Sequence, residues 1–380
     1  MQAKAARKPI RNRAKEVYDD EYYLASQWQL IWRKFRSHKL AIFGGSIIAL
    51  LYLGAIFAEF FSINAYQERH SGLAVAPPQG IHFTDEEGRF HLQPFIYNQI
   101  QELDLETFER VYVEDTSERY PLRLFGRGHS YKLWGLFETD RHLISVEEPG
   151  IFMPFGSDEF GRDLFSRNIH ASRISLSIGL IGVFFSFILG CLIGGVSGYF
   201  GGVTDLVIQR VIEFIISIPT IPLWIALAAA LPPQWSSLQV YFGITVVLAT
   251  VGWTTLARTV RGKLLELREA DFVMAAKISN MSDMNIIVKH LLPSFASYLI
   301  VVLSLAVPGM ILGETALSFL QIGIRPPTVS WGVLLQDAQN LRSLSQAPWL
   351  LIPGIFVVVT VLCFNFVGDG LRDAADPYKS

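Results

Sequence analysis

Charge is what this sequence has least of. Of its 380 residues only 17% are Asp, Glu, Lys or Arg, while 51% are hydrophobic. Soluble domains carry about a quarter charged residues. With a mean hydropathy of +0.34 and long stretches almost free of charge, the chain reads as a membrane protein. Cysteine is scarce too. Cys191 and Cys363 both lie inside apolar runs, which argues against a disulfide framework or a metal site and leaves the redox compartment unread. Signatures of chemistry are also missing. There is no G-x-x-x-x-G-K-[ST] phosphate loop: "RGKLL" from Arg261 lacks the upstream glycine and the hydroxyl residue. Neither H-E-x-x-H nor G-x-S-x-G occurs. The expectation is a non-enzyme with no cofactor and no ATP site of its own. A net charge of −2 gives no reason to expect a nucleic-acid partner.

Apolar runs fill the chain instead. A spanning helix needs roughly 20 apolar residues. Six stretches qualify: Leu40–Phe61, Ile174–Gly198, Leu206–Leu231, Leu238–Ala257, Phe295–Leu320 and Trp349–Gly370. The first starts too late and runs too long for a cleaved signal, so a retained anchor is expected. Arg33, Lys34, Arg36 and Lys39 precede it and place the N-terminus in the cytoplasm. Six spans return the C-terminus there. Arg258, Arg261, Lys263, Arg268, Lys277 and Lys289 put the loop between the fourth and fifth spans on the same side. The expected organisation is a cytoplasmic segment 1–39, a first span 40–61, an extracytoplasmic insertion 62–153, and a five-span core 154–380 with a cytoplasmic loop 258–294. The fold class is an all-α polytopic membrane protein with a small, mostly β insertion between the first two spans.

Within that frame, Tyr22–Lys39 shows apolar residues at helical spacing and basic residues at its end. It reads as an interfacial amphipathic helix, or else as an extension of the first span. In the insertion, Ile81–Leu92 has the alternation of a hairpin around an acidic turn closed by Gly88, and "RVYVED" and "YPLRLFG" are two further strand candidates. His70, His82, His91, His129 and His142 are scattered without metal-ligand spacing and are expected to be solvated.

The most informative stretch is "READFVMAAKISNMSDMNIIVKHLLPS", Arg268–Ser294, a polar interruption between two apolar runs. It reads as two short helices joined by a turn at Asn280, a residue type that tolerates left-handed dihedrals. Ala275 and Ala276 permit close approach by another surface, and Pro293 suits the start of the next helix. A rigid surface of this kind fits docking of a partner protein, or a loop that covers the bundle's own end.

This stretch resembles the Glu-Ala-Ala loop of binding-protein-dependent ABC importers, in which Glu-Ala-Ala is followed after three residues by Gly and later by Leu-Pro. Ala275, Ala276, Leu292 and Pro293 keep that register; Met274 stands for the Glu, Asn280 for the Gly, and His290 for a hydrophobic residue. Further stretches resemble C-type permease subunits of the dipeptide/oligopeptide/nickel importers: "PFGSDEFGRDLFSRNIHASRISLSIGL", "GYFGGVTDLVIQRVIEFIISIPTI", "ILGETALSFLQIGIRPPTVSWGVLL" and "GDGLRDAADP". The resemblance covers about residues 22–63 and 154–380 and leaves out the insertion. It implies six transmembrane helices of the type I ABC importer permease fold in the inner membrane. It also implies a homologous B-type permease, two ABC ATPase subunits and an extracytoplasmic substrate-binding protein as partners. The coupling residues would be Met274, Ala275, Ala276, Asn280, Leu292 and Pro293, and the cargo a peptide, with oligosaccharides or nickel as alternatives.

Other residues fit a transporter. Gly190, Gly194 and Gly198 are four apart, a small-residue ridge for close helix packing in lipid. Glu213 and Glu314 lie in or near apolar spans, where acids face a bundle interior or a cavity. They line the substrate path, or they are structural, as in a Glu213–Arg210 pair. Pro219 and Pro222 kink the third span, as part of a gate or of static packing. The rival classes are an ion-driven secondary transporter using Glu213 or Glu314, a membrane enzyme, and a sensor with an external ligand domain.

Overall fold

The computed structural model describes residues 27–103, 105 and 110–376. Helix α1 (Gln27–Ser37) turns Trp28 and Trp32 outward and buries Phe35. His38 breaks the chain: its Nδ1 accepts the Ala41 N–H at 3.2 Å and caps α2 (Lys39–Ile56). The amphipathic segment expected over Tyr22–Lys39 is therefore a helix separate from the span, and its residues 22–26 lie outside the described ones.

The bundle continues with α3 (Leu164–Phe200), α4 (Gly202–Ser217), α5 (Thr220–Ala229), α6 (Ser237–Leu267), the short α7 (Asp271–Ile278) and α8 (Asp283–Ile286), α9 (Ala296–Phe319) and α10 (Ile352–Ala375). Among the described residues, α2, α3, α6, α9 and the stretch Pro348–Ala375 are long and apolar enough to cross a membrane. The pair α4 and α5, bent by 88°, makes a sixth if it counts as one span.

Helix α3 starts ten residues before its apolar run. Asp163 caps it, accepting from Phe165 N at 3.0 Å and Ser166 N at 3.2 Å. The first turns are polar yet helical, so hydropathy alone misses them. Burial pushes the Asp163 carboxyl up to about 6, against the lowering effect of its hydrogen bonds.

The bundle is built on the contact of α3 with α6. A Cβ on Gly190 would sit 2.8 Å from Leu256 Cβ, one on Gly194 2.4 Å from Ala257 O, and one on Gly198 2.8 Å from Arg261 O. Helix α9 packs on α3 and α10, and α10 packs on α2. The main core gathers Leu176, Ile244, Leu248, Ile311 and Trp331 from these elements and from the short helix Trp331–Leu334.

Among the described residues between α2 and α3 there are six strands: β1 (His82–Thr84), β2 (Phe90–Leu103), β3 (Arg110–Leu124), β4 (Arg127–Leu133), β5 (Phe137–Arg141) and β6 (Ile144–Val146). One sheet has the order β1-β2-β3-β6, and β4-β5 is a separate antiparallel pair. The hairpin turn falls at Asp85–Gly88, with Gly88 at φ +77. The two strand candidates "RVYVED" and "YPLRLFG" are one strand, β3. It survives the polar residues between them because Tyr120 and Pro121 pair with Ile96 and Phe95 across a register shift.

The histidines are not simply solvated. His82 contacts Glu114 at 3.1 Å and His91 contacts Asp85 at 2.8 Å. His142 is fully enclosed, with its ring nitrogens 2.7 Å from Ser62 O and 2.9 Å from His129 O. The fold brings the His129 ring centroid to 4.3 Å from that of His142. Burial, with His142 adding to it, holds His129 down to about 4.

The glycine ridge predicts a contrast. Gly194→Ala should destabilise the detergent-solubilised protein by about 1–3 kcal/mol, as overpacking does. Gly262→Ala, on the facing helix α6 with nothing within 4 Å of its added methyl, should be neutral or raise stability by up to about 1 kcal/mol. Equal unfolding temperatures for the two would remove the ridge from the account.

Candidate functional site

The polar interruption folds into a defined unit. Helix α7 starts at Asp271 and ends with Lys277 in its last turn, each charge matching the helix dipole. Its C-terminus is a Schellman cap. Met281 N–H donates to Ala276 O at 3.2 Å, Asn280 N–H donates to Lys277 O at 3.0 Å, and Asn280 takes φ +55. Helix α8 and a π-turn over Ile287–Leu291 follow. Pro293 sits in the first turn of the short helix Leu292–Ser294, ahead of α9.

The faces of α7 differ. Val273 and Ala276 point inward into a cluster with Leu264, Ile286, Ile287, Leu291 and Leu299, so α7 and α8 rest on α3, α6 and α9 together. Met274 and Ala275 are exposed, as are Phe272 and Ile278, the last at 86%. Ala276, unlike its exposed neighbour Ala275, is buried in the chain's own cluster. It is a small residue that lets α7 lie close to its own bundle. Leu292 packs at the edge of the same cluster, and Pro293 is exposed.

Two further contacts stiffen this end. Tyr199 of α3 donates its hydroxyl to Asp283 Oδ1 at 2.6 Å and carries Lys277 Nζ 5.2 Å above its ring. Asp205 of α4 accepts from Arg261 Nε at 2.5 Å, from Arg261 Nη2 at 2.6 Å and from Ser197 Oγ at 2.5 Å. Sequence reasoning missed Tyr199, Ser197 and Asp205. The available signal was an acid and a base placed just where two apolar runs end.

The acids and prolines separate. Glu314 is fully buried: Ser175 Oγ donates to it at 2.9 Å and Ser318 Oγ at 2.7 Å, and Ser175 Oγ also accepts the Trp331 N–H at 3.1 Å. Its carboxylate joins α3, α9 and the Trp331 helix inside the packing. Glu213 is exposed and pairs with Arg210 at 2.7 Å. Both lie beside a surface groove of about 510 Å³ with Arg258 and Arg261. Pro219 is the residue before α5 and Pro222 lies in its first turn, directly after the 88° bend.

That bend turns α5 toward a cavity of about 540 Å³ lined by Ser186, Thr220, Trp224, Thr255, Thr259 and Met310, among others. Its walls are mostly apolar, with a few hydroxyls. Trp224 Nε1 is enclosed without an acceptor among the described residues. None of these lining residues stood out in the sequence, because hydroxyl and aromatic residues are ordinary in apolar spans.

The bundle of candidate spans and its capped, two-faced helix pair leave the family open, and comparison with known proteins supplies it. Residues 178–379 match the family described as binding-protein-dependent transport system inner membrane component. The chain belongs to that family. Residues 26–78 match the N-terminal TM domain of oligopeptide transport permease C. The permease is 42% identical over 224 residues to the oligopeptide transport system permease protein OppC of Haemophilus influenzae, covering 59% of this chain and 70% of that one. It is 31% identical over 360 residues to the dipeptide transport system permease protein DppC of Alkalihalophilus pseudofirmus, covering 94% and 92%. A chain of the inward-facing MetNI methionine ABC transporter aligns at 18% identity and TM-score 0.41, over 53% of the permease and 93% of that chain.

The cap at Asn280 is testable. Asn280→Gly should keep the unfolding temperature of the permease, because glycine adopts positive φ freely. Asn280→Val should cost about 1–2 kcal/mol, the penalty for a left-handed residue with a branched Cβ. Equal stability of the two variants would show that the turn sets nothing.

Proposed function

We propose that the permease forms half of the translocation pathway of an ATP-driven, binding-protein-dependent importer of peptides. The family supports the transport role, and likeness to permeases named for oligopeptides and dipeptides supports the cargo. In this reading the fold is the six-span type I permease fold in the inner membrane, with α4 and α5 as one broken span. Both termini are cytoplasmic and the strands of residues 82–146 lie outside. The partners are a homologous permease, two ATPase subunits that supply the hydrolysis, and a soluble binding protein.

The observation that carries the reading is the two-faced α7. Its outer face presents Phe272, Met274, Ala275 and Ile278, while its inner face is fixed to a cluster shared by α3, α6 and α9. An ATPase that grips the outer face moves three spans at once. ATP-driven closure acts only through its differential affinity for the two states of the bundle. The cavity beside Trp224, with its scattered hydroxyls, suits an extended chain whose sequence varies.

In proteoliposomes holding the full complex, uptake of a labelled peptide should require ATP and survive dissipation of the proton gradient. Uptake that ignores ATP and collapses with the gradient overturns the proposal, and competition by nickel or an oligosaccharide but not by peptide overturns the cargo. Within that assay, Ile278→Asp should lower uptake about 10-fold or more, as loss of an interface anchor does, with an unchanged unfolding temperature. Ala276→Arg should instead lower the unfolding temperature first, because it drives a guanidinium into the buried cluster.

A further inference from the structure

The strand pair β4–β5 ends in a tip that is out of keeping with an aqueous surface. Trp134, Gly135 and Leu136 connect Leu133 to Phe137. Exposure is 51% for Trp134, 76% for Leu136 and 62% for Phe137, and Lys132 beside them is exposed as well. Trp134 holds φ +53 next to Gly135 at φ +73, a turn that Asn-Gly makes more cheaply. A bulky residue kept there serves its side chain, not its backbone.

The position of the tip gives that side chain its meaning. Trp134 Nε1 donates to Ile56 O at 2.9 Å, and the Trp134 ring lies 5.4 Å from that of Phe57. Ile56 ends α2, so its carbonyl has no partner within the helix. The 18 residues of α2 rise about 27 Å, close to the hydrocarbon thickness of about 30 Å. Ile56 therefore stands at a hydrocarbon boundary, and the tip stands at the same height. The flank of α2 below it exposes Leu50 at 67%, Leu53 at 48% and Ile56 at 46%, so the apolar surface of the tip continues the lipid-facing surface of the span. An amphipathic indole with apolar neighbours and a nearby lysine is the composition that favours the headgroup region.

We propose that the β4–β5 tip, Leu133–Phe137, is a membrane-surface anchor that seats Trp134, Leu136 and Phe137 in the lipid headgroup region beside the end of α2. The anchor sets the height of the strand domain over the bundle. It takes no part in the coupling or cargo assignments, and it rests only on α2 being a span.

Spin labels test this in the full complex reconstituted into nanodiscs. Cys191 and Cys363 are both buried, so labels report introduced sites: Leu136→Cys and Phe137→Cys at the tip, Leu50→Cys on α2, and Glu87→Cys in the β1–β2 turn. Oxygen and a water-soluble nickel chelate are the collision probes. The tip labels should favour oxygen and lie about 5–10 Å into the headgroup boundary, between the values at Leu50 and Glu87. Tip labels as open to the chelate as Glu87 overturn the proposal. Tip labels shielded from both probes show a protein cover and overturn it as well. A chelate-accessible Leu50 label removes the span and the anchor with it, while leaving ATP-dependent uptake to be judged separately.

Discussion

The approach of α3 to α6 at Gly190, Gly194 and Gly198 is the constraint from which the rest follows. In lipid, apolar side chains gain nothing by leaving the tails for each other, so association depends on how closely two backbones can lie. Here the Leu256 side chain occupies the space that a side chain on Gly190 would fill, and the main chain of α6 at Ala257 and Arg261 occupies that beside Gly194 and Gly198. The contact sets Leu256, Val260 and Leu264 beside Cys191 and so forms the floor on which Val273, Ala276, Ile286 and Ile287 rest. The Ser197–Asp205–Arg261 contacts then tie α4 to the same end. A helix pair that looks peripheral in the chain is thus wired to the centre of the bundle.

At the other end, polar groups tie the segment that precedes the strands to the segments flanking the helices. Asp158 is enclosed and accepts from Arg162 Nε at 2.7 Å, and Arg167 lies 3.2 Å from it. Gly161, at φ +70, passes so close to His70 that a Cβ would meet its carbonyl oxygen at 2.1 Å. Trp349 Nε1 donates to Ser157 O at 3.1 Å. Asp337 faces the same cluster, and burial, with Asp158 and Glu159 adding to it, pushes its carboxyl up to about 6. Each charge buried alone would cost several kcal/mol. Held together, they join residues 70–79, 157–167 and 337 into one junction, which is the physical content of the "GSDEFGRD" stretch.

Local features of this fold were legible in sequence where one short segment determines them. Apolar run length gives the spans, the turn chemistry of Asn280 gives the cap, and the four-residue spacing of glycines gives the ridge. What stayed hidden depends on partners far apart in the chain. Ala276 reads as a small surface residue until Ile286 and Ile287 are seen to cover it. His142 reads as solvated until Ser62 and His129 close over it. Glu314 reads as a cavity acid until Ser175, more than a hundred positions earlier, takes one of its oxygens. The start of α3 was missed for a different reason: hydropathy detects the membrane, not the helix, and the first turns of α3 are polar.

The same contacts suggest where the bundle can change shape. A lever transmits only if it is stiffer than the joint it works. Helix α7 is capped at its C-terminus, clamped through Tyr199 and embedded in a cluster of three spans, so it belongs to the rigid part. The pair α4 and α5 is the opposite: within this chain each buries one residue, Ile212 and Ala228 respectively. Elements with few buried contacts open at the lowest free energy. The break after Ser217 would let α5 shift without bending a helix, and Thr220 and Trp224, which line the cavity, would carry that shift to its wall. If α7 delivers the energy of ATP closure, the cavity changes most cheaply on its α5 side, where the least of this chain's own packing has to be undone.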